Sequence, residues 1–318
     1  KNDPNSFVSP ALATNAFNRL LSRNEVYFGL FTPSLSRAWD GNVKKYAICV
    51  NNEGACASKE LGTIMDANDI EAIDSANDKF KDNAQSIWSD AVDGKETTLG
   101  GAGSQIKFFN NQILYTDQNN VGLASSGQLL NASGFELKHD NWDNTDFSAM
   151  RSAVCPTPDT AGGSECEKRM LHLLGRVSTT NPDTDISTTQ RWSVNDVLHS
   201  SPVVITYNGT DTNSDGEIDT FVDKLIYGTN DGSLHMVNAD TGAEEWRFIP
   251  SDFWGQQQQV FTNAEGNHIY GLDITPTVQI IDDNDNGIID PSSDKVRAFV
   301  SSRRGGSGIY ALDLTDNI

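Results

Sequence analysis

The sequence predicts an all-β protein, a modified β-propeller with helical and loop insertions, built from residues 1–318 as a single domain. Two observations lead there. Apolar residues recur with a period of two in short runs bounded by Gly, Asn, Asp and Pro, and one strand, loop, strand, turn, strand unit occurs twice.

In chain order the runs are Val26–Leu30, Lys44–Ile48, Gln105–Phe109, Gln112–Tyr115, Val203–Tyr207, Lys224–Tyr227 and Arg297–Val300. Their boundaries carry turn formers, as strands joined by tight turns require. Helical spacing is scarce. Ser9 to Asn18 opens on a Ser-Pro pair suited to an N-cap and first turn, and Asp66 to Trp88 sets Ile70, Ile73, Phe80, Ala84 and Ile87 at helix-like intervals. Both segments are expected to be helices.

The repeated unit begins at Ser201-Pro202-Val203-Val204 and again at Thr275-Pro276-Thr277-Val278. Each strand runs into an Asp/Asn/Gly loop, residues 211–219 in the first and 282–290 in the second. An Asp-Lys pair follows each opening Asp at the same offset of 12, Asp223-Lys224 and Asp294-Lys295. A Gly-containing turn and a further strand come next, Gly232–Val237 and Gly308–Leu312. A blade-sized antiparallel sheet must stack on neighbours to bury its faces, which is how radial β architectures use such units. The repeat is irregular: Ser251 to Asn267, with four consecutive Gln, lies between the units, and the second unit has no last strand by Ile318. A fourth strand would come from the N-terminal region or from a longer chain, and a start at Lys1 without a charged-then-apolar leader fits a mature or excised piece.

Composition narrows the function classes. With 318 residues, 37% of them hydrophobic, the chain can bury a large core. Lys+Arg of 23 against Asp+Glu of 44 gives a net charge of −21, which repels a nucleic-acid backbone and an anionic membrane surface. No apolar run approaches the roughly 18 residues of a membrane-spanning helix. The 4 Cys form two close pairs without a CxxC, so local disulfides Cys49–Cys56 and Cys155–Cys166 are expected, and with them an oxidising compartment.

The two Asp/Asn/Gly loops hold the chemistry. Oxygen-bearing side chains stand at alternate positions, and Gly at the sixth lets the backbone wrap round an ion. Hard cations take oxygen ligands, so the expected Ca²⁺ ligands are the side chains of Asp211, Asn213, Asp215 and Asp219 with the Glu217 carbonyl in the first loop. In the second they are the side chains of Asp282, Asn284, Asn286 and Asp290 with the Ile288 carbonyl. Val222 and Ser293 stand where an EF-hand has its bidentate Glu, which leaves water, Asp223 or Asp294 to complete each shell. Asx-rich loops also make turns without metal; two loops matched at each spaced position favour the ion. Three carboxylates against two make the first loop the tighter site unless Asp294 joins the second.

Other motifs point elsewhere only weakly. His139, His172, His199, His235 and His268 show no metal-ligand spacing and are expected to pack or hydrogen-bond. No Gly-x-Ser-x-Gly occurs, and Gly100-Gly101-Ala102-Gly103 does not lead into a phosphate loop, so no catalytic residue is assigned. Thr241-Gly242-Ala243-Glu244-Glu245-Trp246 has the form of a quinoprotein blade-docking motif, and its Trp is expected to pack.

Several ordered stretches carry a family resemblance. Phe31-Thr32-Pro33 through Trp39-Asp40-Gly41-Asn42-Val43-Lys44-Lys45-Tyr46, Ser86-Ile87-Trp88-Ser89, Gly100-Gly101-Ala102-Gly103, Leu198-His199-Ser200-Ser201-Pro202-Val203-Val204, Tyr227 through His235 and Ser302-Arg303-Arg304-Gly305-Gly306 resemble the C-terminal half of the PilC/PilY-type proteins of type IV pili. The resemblance implies the C-terminal propeller domain of a longer protein that transits the periplasm to the outer membrane, cell surface and pilus tip. It implies partners among major or minor pilins and the pilus assembly machinery, and contact with host or abiotic surfaces. It further implies support of pilus assembly against retraction, twitching motility and adhesion, with calcium at the 282–290 loop setting that balance. Asn284 and Asn286 stand where such loops often carry carboxylates. Two other functions remain open at this point: a quinoprotein-like dehydrogenase, disfavoured by the absence of an adjacent Cys-Cys pair, and a purely structural adhesin domain that calcium stabilises.

Overall fold

The computed structural model describes residues 6–7, 11–14, 22–106, 112–119, 122–123, 136–138, 142–155, 165–175, 191–210, 212, 220–283, 289 and 292–316. Among them the chain is mostly β, arranged in several sheets of which none closes into a ring.

The N-terminal sheet comprises β1 (Ser6–Phe7), β2 (Ala11–Thr14), β3 (Ser22–Thr32), β4 (Asp40–Ile48) and β5 (Ile64–Met65). Its centre is the antiparallel pair β3 and β4, in register from Glu25↔Ala47 to Thr32↔Asp40, with β1 and β2 on the far edge of β3 and β5 on β4. Strand period sends Val26 and Tyr27 to opposite faces, and both are buried. A small hairpin follows, β6 (Ile73–Asp74) with β7 (Lys79–Phe80), then the short helix α1 (Gly101–Ser104).

The strands β8 (Leu114–Tyr115), β9 (Gln118–Asn119), β10 (Gly122–Leu123) and β11 (Glu136–Leu137) and the helices α2 (Ser148–Val154) and α3 (Glu165–Leu173) lead to the first repeat unit. That unit is the meander β12 (Val203–Thr210), β13 (Thr220–Gly228), β14 (Leu234–Asn238) and β15 (Glu244–Phe248), extended by β8, parallel to β15, and by β11. Helix α4 (Gln257–Thr262) precedes the second unit, β16 (Thr277–Ile281), β17 (Lys295–Ser301) and β18 (Ile309–Asp313), again an antiparallel meander.

The central sheet is buried on both faces. Leu225, Tyr227 and Val237 pack with Tyr27, Val43 and Trp88 of the N-terminal sheet and its insertion. Their chain neighbours Ile226 and Met236 point the other way, into a cluster with Val296, Ala298, Val300 and Leu312 of the second unit and with Met150, Met170 and Leu173 of α2 and α3. A third cluster, Val26, Tyr46, Ala72, Phe80 and Ala84, covers the outer face of the N-terminal sheet. The two repeat units also meet through equivalent residues 74 apart: His199 Nδ1 lies 2.7 Å from Asp273, and the Ser201 N–H donates to the Thr275 hydroxyl at 3.0 Å.

Both expected disulfides are present, Cys49–Cys56 and Cys155–Cys166. Both expected long helices are not. Within 9–18, residues 11–14 are strand β2, and the remainder lies outside the described residues. From 66 to 88 the chain forms turns and the β6–β7 hairpin, because the Asp66 carboxylate accepts the N–H groups of Asn68, Ile70 and Gln85 and so competes with a helical ladder. Ile70 is 52% exposed there, so its spacing with Ile73 was not a buried helical stripe. Gln105 ends α1 and Ile106 is buried beside it, outside any strand; 107–109 lie outside the described residues. The remaining strand expectations are met by β3, β4, β8, β12, β13 and β17.

Candidate calcium hairpins

Each Asp/Asn/Gly loop joins the first two strands of a repeat unit. In the first, β12 and β13 stay in register from Val203↔Ile226 to Thr210↔Thr220, with an irregularity between Thr206 and Asn208. The pair Thr210↔Thr220 brackets the loop, so its nine residues span one strand-to-strand gap. Asp211, Asn213, Asp215, Glu217 and Asp219 lie outside the described residues.

The second hairpin is anchored by Ile281↔Lys295. Asp282 is half-buried, whereas Asn284, Asn286, Ile288 and Asp290 lie outside the described residues. Ile289, between two expected ligands, is 6% exposed and belongs to the main core cluster with Val296 and Leu314, which ties the loop to the sheet. At the exit stands Asp294, 0% exposed, whose Oδ1 accepts the Asp283 N–H at 3.1 Å and the Ser293 hydroxyl at 2.9 Å.

Asp223 holds the matching place in the first hairpin. It is buried, its Oδ1 accepts the hydroxyl of its cross-strand partner Thr206 at 2.8 Å, and its carbonyl accepts the Ala239 N–H. A buried carboxylate is costly without compensation, and at both loop exits hydrogen bonds supply part of it. The donor set of both loops is oxygen alone, which suits a hard cation such as Ca²⁺ and gives nothing to a thiophilic metal. Among the described residues no group of three or more His, Cys, Asp or Glu converges on one point.

The structure assembles polar nodes that the sequence left scattered. His235 Nδ1 lies 2.6 Å from Glu244 Oε2, Arg247 Nη2 donates to Glu244 Oε1 at 3.2 Å, and all three residues are buried. Burial pushes the Glu244 carboxyl up, but Arg247 and His235 outweigh it and hold it down at about 2. Arg247 also donates to the Leu173 carbonyl and Arg191 to the His172 carbonyl, so two guanidinium groups close the C-terminal end of α3. His172 is in turn held well below its ordinary value, first by burial and then by Arg191, Arg247 and Arg169. His268 Nε2 meets Asp196 at 2.9 Å; His139 lies outside the described residues. In chain order these partners stand 3 to 74 apart, and no pattern in the sequence pairs them. Trp246 packs in the core, edge-on to Tyr115.

Comparison with known proteins adds a name. The chain is similar to PilY1. It is 28% identical over 203 residues to the type IV pilus biogenesis factor PilY1 of Pseudomonas aeruginosa strain UCBPP-PA14, a match covering 58% of this chain and 16% of that one. For the PilY1 proteins of strains PAK and PAO1 the identities are 25% and 24% over 236 residues, 69% of this chain and 19% and 20% of theirs. The chain thus spans a fifth or less of the length of these curated relatives. No family model and no solved structure matches it. No helix of the described residues is long and apolar enough to cross a membrane.

Proposed function

We propose that this chain is a calcium-responsive, propeller-like module of a type IV pilus biogenesis factor, acting outside the cytoplasm without catalytic chemistry of its own. The similarity to PilY1 over more than half the chain is the observation that carries the proposal. The two hairpins and the side-by-side repeat units support its details. In this proposal Ca²⁺ binds at 211–219 and 282–290, neutralises clustered carboxylates and orders the β12–β13 and β16–β17 connections. That changes the edge offered to pilins and the assembly machinery, so that assembly is favoured over retraction and twitching motility and adhesion follow.

Calorimetric calcium titration of the chain, beside Asp219→Ala and Asp290→Ala variants, tests the binding. Two events are expected, each variant deleting one; a flat titration would end the calcium proposal. In cells, an Asp290→Ala protein that binds no calcium at the second loop yet leaves piliation and motility intact would discard regulation and leave a structural role for the ion.

A further inference from the structure

We infer that the turn joining β17 to β18, residues 302–308, is a docking point for an acidic segment of a partner protein. In a chain of net charge −21, Arg303 and Arg304 are both exposed, and neither makes an ion pair among the described residues. By contrast Lys44, Lys45, Arg169, Lys224 and Arg247 each meet a carboxylate. The molecule thus neutralises many of its cations internally and presents this pair outward.

Arg304 is also held in place. Arg304 Nη1 donates to the Tyr270 hydroxyl at 3.2 Å, and its guanidinium lies over that ring at 5.3 Å. Tyr270 stands edge-on to His268 at 4.7 Å, and His268 stacks on Trp39 at 3.8 Å while bonded to the buried Asp196. A Cβ on Gly305 would lie 2.2 Å from the Gly271 carbonyl oxygen, so the turn sits hard against the segment that carries Tyr270. Arg303 holds φ +42, a left-handed conformation that favours glycine, which points to a use for its side chain beyond the turn itself. Ile309, which follows the turn, is 75% exposed and adds an apolar side chain at the start of β18.

Charge complementarity selects the occupant. Adjacent exposed arginines, one of them held against Tyr270, suit carboxylates, which a guanidinium binds bidentately, and Arg with aromatic support is a frequent anchor of protein interfaces. An anionic membrane is the less suitable partner, because an extended negative surface meets the whole charge of −21, whereas a short acidic strand meets the turn alone.

The test uses the whole chain in EDTA, which separates it from the calcium hairpins, and a fluorescent peptide with two adjacent Glu between Val residues, read by anisotropy. Binding is expected that weakens with salt and is about tenfold weaker for the Gln peptide or for Arg304→Lys, the scale of one charge-assisted hydrogen bond. Arg303→Gly is expected to weaken binding without lowering Tm, because glycine accepts φ +42. Equal binding of Glu and Gln peptides, variants that bind like the parent, or capture of phosphatidylglycerol vesicles with no peptide binding would each overturn the inference.

Discussion

Removing the Asp93 carboxylate should expose how the N-terminal sheet tolerates a lysine in its interior. Lys44 Nζ lies 2.9 Å from Asp93 Oδ2, with side-chain exposures of 0% and 2%, and also donates to the carbonyls of Asp93 and Gly94. Asp93 further accepts the Ser86 N–H at 2.7 Å and the hydroxyls of Ser86 and Ser89 at 2.8 and 2.9 Å. Asp93→Ala strands a buried ammonium, a loss of about 3–5 kcal/mol. In Asp93→Ala with Lys44→Met no charge is left behind, and the loss should shrink to about 1–3 kcal/mol, the scale of serine hydroxyls deprived of an acceptor. Urea unfolding followed by tryptophan fluorescence measures both, with comparison valid where the m-value is unchanged. Burial already holds Lys44 below its ordinary value against the pull of Asp93. A lysine lowered in the folded state weakens stability while both states are protonated, and that penalty fades as pH rises toward the unfolded value. Asp93→Ala should therefore recover relative to the parent protein at alkaline pH. A loss below about 1 kcal/mol, or a double variant no better than the single, would refute the account of a compensated buried pair.

Three further outcomes are expected. Glu244, held at about 2 against 4.5 in the unfolded chain, should contribute about 3 kcal/mol above pH 4.5 that is lost as pH falls toward 2; thermal unfolding across that window should show the loss in the parent and not in Glu244→Gln. Gly242 has φ +74 and its added Cβ would stand 2.7 Å from the Trp88 ring, so Gly242→Ala should cost about 2–4 kcal/mol in urea unfolding and shift the Trp88 emission. Reduction of Cys49–Cys56 and Cys155–Cys166, with separations of 7 and 11, should cost about 2–3 kcal/mol each, seen as a lower Tm in reductant and reproduced singly by Cys→Ala pairs.

Strand β17 was legible because its burial follows a period of two, with Val296, Ala298 and Val300 facing inward and Arg297 and Phe299 outward, whereas β4 and β13, buried on both faces over most of their length, were legible as short apolar runs bounded by turn formers. Cysteine pairing was legible because short loops leave few alternatives. The 66–88 segment misled because Ile70, Ile73 and Phe80 mimic helical spacing while Asp66 and the left-handed Asp69 and Asp78 break it, a contest that periodicity does not register. The short helices α2 and α3 were missed since each is under ten residues and draws its stability from the core they share with β14 and β17. The two loops were read from ligand spacing, and the flanking Asp223 and Asp294 from the repeat; that both carboxylates are buried followed only from the packing of their strands.

Because Leu225 and Tyr227 serve one interface and Ile226 the opposite one, three consecutive residues of β13 couple the N-terminal sheet to the last. Neither neighbour can peel away without baring the middle layer, so a tensile load applied at either end should meet resistance concentrated in this one strand. The amide hydrogens of Leu225, Ile226 and Tyr227 should be the last to exchange with solvent.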